Sequence, residues 1–561
     1  MNKLTSLLYP LLILLVFSLL YFTSLQKPVV IDYDEGVYAE VSRAMFANSE
    51  PVVPELNGEG FFEKPPMLYW AQMLGYQYFG ISSLGARFVN ALAAILTLSV
   101  FYFGAAGPLG RRTAFNATLI LGSSIIFTYL SRVAMTDMLL TLFLTLCLIV
   151  SWYGVERFMK STGGAHLFWL GCLFGGLAML SKGAIGALFP IVTAIIYLIS
   201  IGRPTIIFRK SWFFPGTAIL IVVGFSWYLL LGFLHPEGFS FMRELFLEHH
   251  MGRFSSAMEG HSGSVFYYLI VLFVGFMPWF GYLPLSFFHM GLKIKDNPGN
   301  RYLRLFVIFS LVVFVFFSLA ATKLPNYILP ALPGFALLIA ILFNRDEMKY
   351  PVAWRLGGWI AVVPMILLGL ILAAAPLIYP YLAEFLGEDA YKTPALAESV
   401  SFGYSPYLAA FLFLLSAFLL IRAIRGTIAK LFETLLLCSF INSCTIFFLV
   451  IPLYDQLMDA PLARLAEQAA LQSSANGKVI MYEIDDRPSV NFVSGLATIE
   501  HDERDYQLLS QQFNQSDITV GLSTVFYFER LLDLGVPALE IARDTGFVLF
   551  HIPPAEPATE R

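Results

Sequence analysis

Apolar residues along this chain gather into thirteen blocks of roughly membrane-crossing length. They lie near residues 7–25, 84–106, 114–131, 138–155, 166–181, 184–202, 213–234, 264–290, 305–321, 326–343, 356–378, 406–424 and 432–453. A helix rising about 1.5 Å per residue needs about twenty apolar residues to cross a hydrocarbon core of about 30 Å. The pattern predicts a polytopic α-helical membrane protein, because soluble domains would alternate apolar and polar positions instead. The first block, LLYPLLILLVFSLLYFTSL, outruns the apolar core of a secretory leader and no small-x-small site follows it. It reads as a first membrane helix.

Two polar stretches interrupt this rhythm, residues 26–83 and 235–263. In the second, Phe241, Met242, Leu245 and Phe246 recur at helical spacing opposite Arg243, Glu244 and Glu248, which predicts a helix lying in the membrane interface. After residue 453 the pattern changes again. KVIMYEI, DITVGLS and GFVLFHI predict strands, and DYQLLSQQF and TVFYFERLLDLG predict helices between them. The expected organisation is a transmembrane domain over 1–453 and a small soluble α/β domain over 454–561.

Charge assigns sides to the loops. With the N-terminus cytoplasmic, the short cytoplasmic segments hold 18 of the 35 basic residues and only 5 of the 39 acidic ones. This is the bias of the positive-inside rule, and missing one span would put half the basic clusters on the wrong side. An odd number of spans then places the C-terminal domain outside. Cys147, Cys172, Cys438 and Cys444 all fall in apolar blocks without metal-ligand spacing, so neither a disulfide framework nor a zinc site is expected. The C-terminal domain has no glycine-rich phosphate loop, and no 20–50-residue repeat is present. Nothing points to a nucleic-acid partner.

Polar chemistry concentrates on the outer face. Asp32, Asp34, Glu35 and Glu40 stand in the first outer loop, followed there by Glu63 and Lys64. Arg132, Asp137, Lys182, Glu248, His249, His250, Arg253, Lys323 and Tyr327 stand at or near the outer ends of later blocks. Ionisable residues near a bilayer cost about 2.5–3.5 kcal/mol each at a span centre, so they line a cavity or meet a partner. Cations suit a phosphate, while a carboxylate can take a proton from an incoming hydroxyl. A nucleotide donor is not supplied outside the cytoplasm, so an outward-facing transferase would use a substrate delivered in the membrane, such as a lipid phosphate. A transporter or flippase is the rival class. It predicts polar residues on both faces and repeated halves, whereas here they cluster on one face.

The ordered motifs DEGVYAE (34–40), FEKPPMLYW (62–70), SRVAMTDM (131–138), LSKG around Lys182, EHHMGRF (248–254), FYYLIVLFVGFMPW (266–279) and KLPNYILP (323–330) resemble the GT-C membrane glycosyltransferases. In particular they resemble the 4-amino-4-deoxy-L-arabinose lipid A transferases and their protein O-mannosyltransferase relatives. The resemblance implies a GT-C fold of about 13 transmembrane helices with a periplasmic α/β domain, in a bacterial inner membrane. It implies an inverting transfer of a sugar from a polyprenyl (undecaprenyl) phosphate donor to lipid A, lipopolysaccharide or another envelope glycan, or to protein in the mannosyltransferase variant. Asp34 matches the general base, Glu35 its neighbour and Asp137 a second acidic position. Lys64, Arg253 and Tyr327 match positions near the lipid phosphate, and Lys182 joins them by its place at a span end. Glu63 and a histidine of the EHH stretch, His250 or its neighbour His249, correspond to a metal-contacting pair in a relative, which makes a divalent ion the candidate cofactor. The arabinose transferases read DETRYAE and EKPIAGYW, whereas this chain has Val37 and Pro66-Met67-Leu68, a version closer to the broader family.

Overall fold

The computed structural model describes residues 3–206, 210–235, 238–243, 262–291, 296–344, 351–386, 400–473, 477–485, 487–501, 509, 512–513 and 518–553. Among them, nine helices are long and apolar enough to cross a membrane. Two further helix pairs pass the same test together but are bent, Arg111–Ser123 with Ile125–Arg132 by 65° and Tyr267–Gly275 with Trp279–Met290 by 115°. Two shorter apolar helices, Leu7–Phe22 and Ile185–Ser200, complete the set, and each of the thirteen apolar blocks falls on one of these elements. The chain is a multi-span membrane protein. Of the expected interface helix, only the turn Phe241–Arg243 lies within the described residues, and there Phe241 is buried with Phe62, Leu180 and Trp227.

The first helix, α1 (Lys3–Phe22), leads into the long polar segment 26–83, the expected outer loop, which forms two helices, α2 (Asp34–Ala47) and α3 (Met67–Phe79). A two-residue hairpin, β1 (Glu55–Leu56) with β2 (Glu59–Gly60), lies between them. These helices went unforeseen because their apolar residues meet neighbours on several sides and show no single stripe. The next helix, α4 (Ser83–Leu109), begins at Ser82, whose side chain accepts the Gly85 N–H at 3.2 Å. Here α3 and α4 touch backbone to backbone. A Cβ on Gly75 would stand 2.1 Å from the Gly85 carbonyl oxygen, so only glycine permits this approach.

Arg87 of α4 is 1% exposed and Glu35 of α2 is 2% exposed, and they form a two-pronged ion pair at 2.6 and 2.7 Å. The remaining guanidinium protons go to the carbonyls of Leu25, Pro28 and Val29 at 3.3, 2.7 and 2.8 Å. The same carboxylate accepts the backbone N–H groups of Ile31 and Ala134 at 3.0 and 2.7 Å. One buried ion pair therefore fixes the chain after α1, the start of α2 and the strap before α5 (Thr136–Met159), which packs along α6 (Ala165–Lys182). At the opposite end of the bundle, Arg301 pairs with Glu156 at 2.7 and 2.9 Å.

The helix Ile451–Leu457 runs into α7 (Ala460–Gln472) and a five-stranded sheet. The strands are β3 (Lys478–Tyr482), β4 (Ala497–His501), β5 (Ile518–Thr524), β6 (Leu539–Asp544) and β7 (Phe547–His551), in the order β4-β3-β5-β7-β6. β3 pairs parallel with β4 and β5, whereas β7 pairs antiparallel with β5 and β6. Along β3, Val479 and Met481 face α7 while Ile480 and Tyr482 face the helix Val525–Asp533. β3, β5 and β7 match the expected strands; β4 and β6 are additional. Most of DYQLLSQQF lies outside the described residues.

The helix α8 (Pro488–Ser494) turns this unit onto the outer loop. Phe492 is buried with Val30, Ala39, Tyr76, Ala86 and Ala134 of the membrane part. Asp455 accepts the Val29 N–H at 3.1 Å, and Asn57 bonds Thr498 and Asn491 at 3.1 and 2.7 Å. Asp459 lies at this junction with a buried carboxylate oxygen that has no hydrogen-bond partner among the described residues. Burial, then the nearby charges of Asp32, Asp455 and Glu35, push it up to about 7 against the opposing pull of Arg487.

Two measurements test these anchors. Glu35→Ala leaves the Arg87 guanidinium buried without its carboxylate, which costs about 3 kcal/mol or more. Its apparent melting temperature in detergent should drop clearly, and Glu35→Ala with Arg87→Ala should cost less than the two single losses combined. The folded protein keeps the Asp459 proton up to about pH 7, whereas the unfolded chain releases it near 3.8. Stability is therefore highest below that window, falls as pH rises through it and levels off above about 7. Between pH 5 and pH 8 thermal unfolding should show a loss of about 2 kcal/mol, a figure discounted for partial exposure, and Asp459→Asn should flatten it.

Candidate active site

Asp34 is the first residue of α2, and its carboxylate lies where the first-turn N–H groups favour negative charge. It borders a cavity of about 640 Å³ whose walls also carry Asp32, Glu35, Glu63, Asn326 and Asp485. Glu35, next in the chain, spends its carboxylate on the Arg87 clamp, so the first turn of α2, where Asp34 stands, cannot rotate without breaking that pair. Glu35, expected beside the base, is held by four N–H groups and serves as the anchor of Asp34.

A second polar cluster stands behind the cavity. Asp137, in the first turn of α5 and 1% exposed, receives the Lys182 ammonium at 2.6 Å and the Asn326 amide at 2.8 Å. Lys182 ends α6, where Gly183 adopts a φ of 74° and turns the chain away. Its ammonium also stands 4.4 Å from the centre of the Tyr327 ring. Four residues from three distant motifs thus form one group: Asp137, Lys182, Asn326 and Tyr327. Asn326 is the link, because it both bonds Asp137 and lines the cavity.

Glu63 and Lys64 stand at 3.4 Å from each other, with Lys64 buried and Glu63 on the cavity wall. The Tyr69 hydroxyl on α3 is buried nearby with no hydrogen-bond partner among the described residues. Burial raises its pKa well above the ordinary tyrosine value, and the negative charges of Glu63 and Asp34 raise it further. It stays a neutral donor.

The other candidate cations do different work. Arg132 donates to the carbonyls of Leu20, Tyr21 and Thr23 at 2.7, 3.1 and 2.8 Å and so caps α1. Lys323 gives its ammonium protons to the carbonyls of Phe317, Ser318 and Ala320 at 2.9, 2.6 and 2.5 Å. Arg253 and His250, with Glu248 and His249, lie outside the described residues. Among the described residues no three His, Cys, Asp or Glu side chains come together in a way that could hold a metal. Glu63, the described half of the expected pair, stands 3.4 Å from the Lys64 ammonium through one of its two oxygens.

Sequence reasoning missed Arg87, Tyr69, Asn326 and Asp485. Tyr69 and Asn326 lie inside FEKPPMLYW and KLPNYILP, so those motifs carried a signal for them. Asp485 comes from the C-terminal unit, and no local pattern connects it to the membrane part.

A family model described as dolichyl-phosphate-mannose-protein mannosyltransferase matches residues 63–229. Undecaprenyl phosphate-alpha-4-amino-4-deoxy-L-arabinose arabinosyl transferases are similar to the chain. The one from Edwardsiella ictaluri is 30% identical over 350 residues, 62% of this chain and 61% of that protein. The one from Aeromonas hydrophila is 31% identical over 373 residues, 64% of this chain and 65% of that protein. The chain thus spans less than two thirds of the length of these curated relatives. An uncharacterised protein of Aquifex aeolicus is 30% identical over 332 residues, 59% of this chain and 72% of that protein. In fold, the chain is similar to the crystal structure of ArnT from Cupriavidus metallidurans bound to undecaprenyl phosphate, with a TM-score of 0.72 at 21% identity over 96% of this chain and 97% of that one. With the motifs in order and the cavity beside Asp34 between them, the chain belongs to the GT-C membrane glycosyltransferases related to the aminoarabinose transferases and the protein mannosyltransferases.

Proposed function

We propose that this protein transfers a sugar from a polyprenyl-phosphate donor to an envelope acceptor of the lipid A class, at the outer face of a bacterial inner membrane. In this reading the N-terminus is cytoplasmic and the C-terminal unit periplasmic. The observation that carries it is Asp34, fixed at a helix N-terminus by the Glu35–Arg87 clamp and facing a cavity large enough for a sugar. The similarity to undecaprenyl phosphate-alpha-4-amino-4-deoxy-L-arabinose arabinosyl transferases supports the donor class.

Charge divides the site into two parts. The described cavity wall is rich in carboxylates, which repel a phosphate but suit a sugar and a nucleophile that must lose a proton. Lys64 and Lys182 stand to the side, each already paired with an acid. The donor phosphate belongs on that cationic side, with Arg253 as a third candidate. Asp34 takes the proton from the acceptor oxygen as that oxygen attacks the anomeric carbon. The bond from that carbon to the phosphate oxygen breaks, the configuration inverts, and the lipid phosphate leaves with the electron pair. Its charge grows as the bond lengthens, so cations fixed in advance stabilise the transition state more than the ground state.

A protein acceptor is the second reading, favoured by the description of the matching family model. Mass-spectrometric profiling of lipid A and of envelope glycoproteins in a strain lacking the protein separates the two by which one loses a sugar.

Two variants test the chemistry in purified protein, with undecaprenyl-phosphate-linked 4-amino-4-deoxy-L-arabinose and lipid A as the first substrate pair. Asp34→Asn should cut transfer by about 10²–10⁴-fold without changing the melting temperature, and turnover close to the unaltered chain would remove Asp34 as the base. Lys64→Ala should leave free undecaprenyl phosphate about tenfold weaker as a competitor, the loss of one charge-assisted hydrogen bond.

A further inference from the structure

The outer loop that carries Asp34 has a partner more than four hundred residues away in sequence. Ser489, in the first turn of α8, donates its backbone N–H to one Asp32 oxygen at 2.9 Å and its hydroxyl to the other. Asp32 lies two residues before Asp34 and shares the cavity wall with it. The contact is tight. A Cβ on Gly36 would stand 2.6 Å from the same Asp32 oxygen and 3.0 Å from the Ser489 nitrogen. Asp485, three residues before α8, completes that part of the wall. Flanking bonds hold the same two surfaces together, from Asp455 to Val29 and from Asn57 to Asn491 and Thr498.

From these contacts we infer that the C-terminal unit is a working part of the cavity, and that Ser489 is a positioning residue acting through Asp32. The Glu35–Arg87 clamp fixes α2 from below, but residues 31–34 reach it through a loop. Their second support is the pair of hydrogen bonds from Ser489. Without it, Asp34 keeps its place in the sequence of α2 but loses the restraint on the backbone that leads into it. Small displacements of a catalytic group cost rate more than binding, because the reacting atoms must align within a narrow range. The inference rests on the transferase reading for its kinetic consequence, while the contact itself is independent of that reading.

The test uses the full chain in detergent micelles, with the same substrate pair and with hydrogen exchange followed by mass spectrometry. Ser489→Ala should lower kcat about tenfold and leave KM for the donor lipid nearly unchanged. Exchange should speed up at residues 29–37 and stay the same across β3, β5 and β7, which excludes general unfolding of the C-terminal unit. Ser489→Thr, which keeps both donors, should restore rate and protection. Asp32→Ala, which removes both bonds where Ser489→Ala removes only the hydroxyl's, should lose at least as much, and the double variant should lose no more than Asp32→Ala alone. Unchanged exchange at 29–37 in Ser489→Ala overturns the inference, as does unchanged kcat with faster exchange, or losses that add in the double variant. Absence of transfer by the unaltered chain overturns the transferase reading instead, and the exchange comparison still decides whether Ser489 fixes the loop.

Discussion

The site depends on a buried arginine and the carboxylate it holds. Arg87 and Glu35 are almost fully buried, and neither could stay there alone, since an unpaired charge at that depth costs several kcal/mol. Together they use nearly all their hydrogen-bonding capacity on one another and on five backbone groups from two segments. An apolar pair of the same volume would bury as well but would leave those backbone groups without partners. The gain is geometric: the start of α2 has one orientation, and Asp34 inherits it. A carboxylate proposed as the base needs such a fixed point at the start of its helix.

Much of the bundle was legible in the sequence because membrane solvation leaves a coarse signal. A helix that faces hydrocarbon must be apolar for about twenty residues, and all thirteen blocks fall on helices or bent pairs. The C-terminal strands divide by position. β3, β5 and β7 occupy the middle of the sheet, are covered on both faces and read as apolar runs. β4 and β6 are its edges, with sequences ATIEH and LEIARD that mix charge with apolar residues, and they passed unseen.

The polar residues were legible as a class and much less so by role. A lysine or arginine at the outer end of a span looks the same whether it waits for a phosphate, pairs with an acid or caps a helix. Arg132 satisfies carbonyls at the end of α1, a task set by tertiary packing, and Lys323 satisfies those at the end of the helix just before it in the chain. Lys182 meets Asp137 from forty-five residues away, a pairing that neither motif reveals alone. Arg87 was passed over for the opposite reason. Near the start of an apolar block it reads as an arginine snorkelling to the interface, and only the loop folding back across it makes it internal.

The association of the outer loop with the C-terminal unit follows from the size of each. Residues 26–83 make two helices and one hairpin of two-residue strands, too little to enclose a core of their own, so they borrow one on two sides. From below, α3 and α4 meet through glycines. From above, Phe492 enters the cluster of Val30, Ala39 and Tyr76. Such a layer leans on both supports, and burial at its seam, with the acids beside it, is why one carboxyl there, Asp459, holds its proton close to neutrality. A carboxylate at that point would stand beside Asp32 and Asp455 with Arg487 as its opposing charge. The acids that suit the cavity for a neutral nucleophile thus make its attachment to the C-terminal unit sensitive to how many of them are ionised, and site chemistry and interdomain cohesion draw on the same small set of charges.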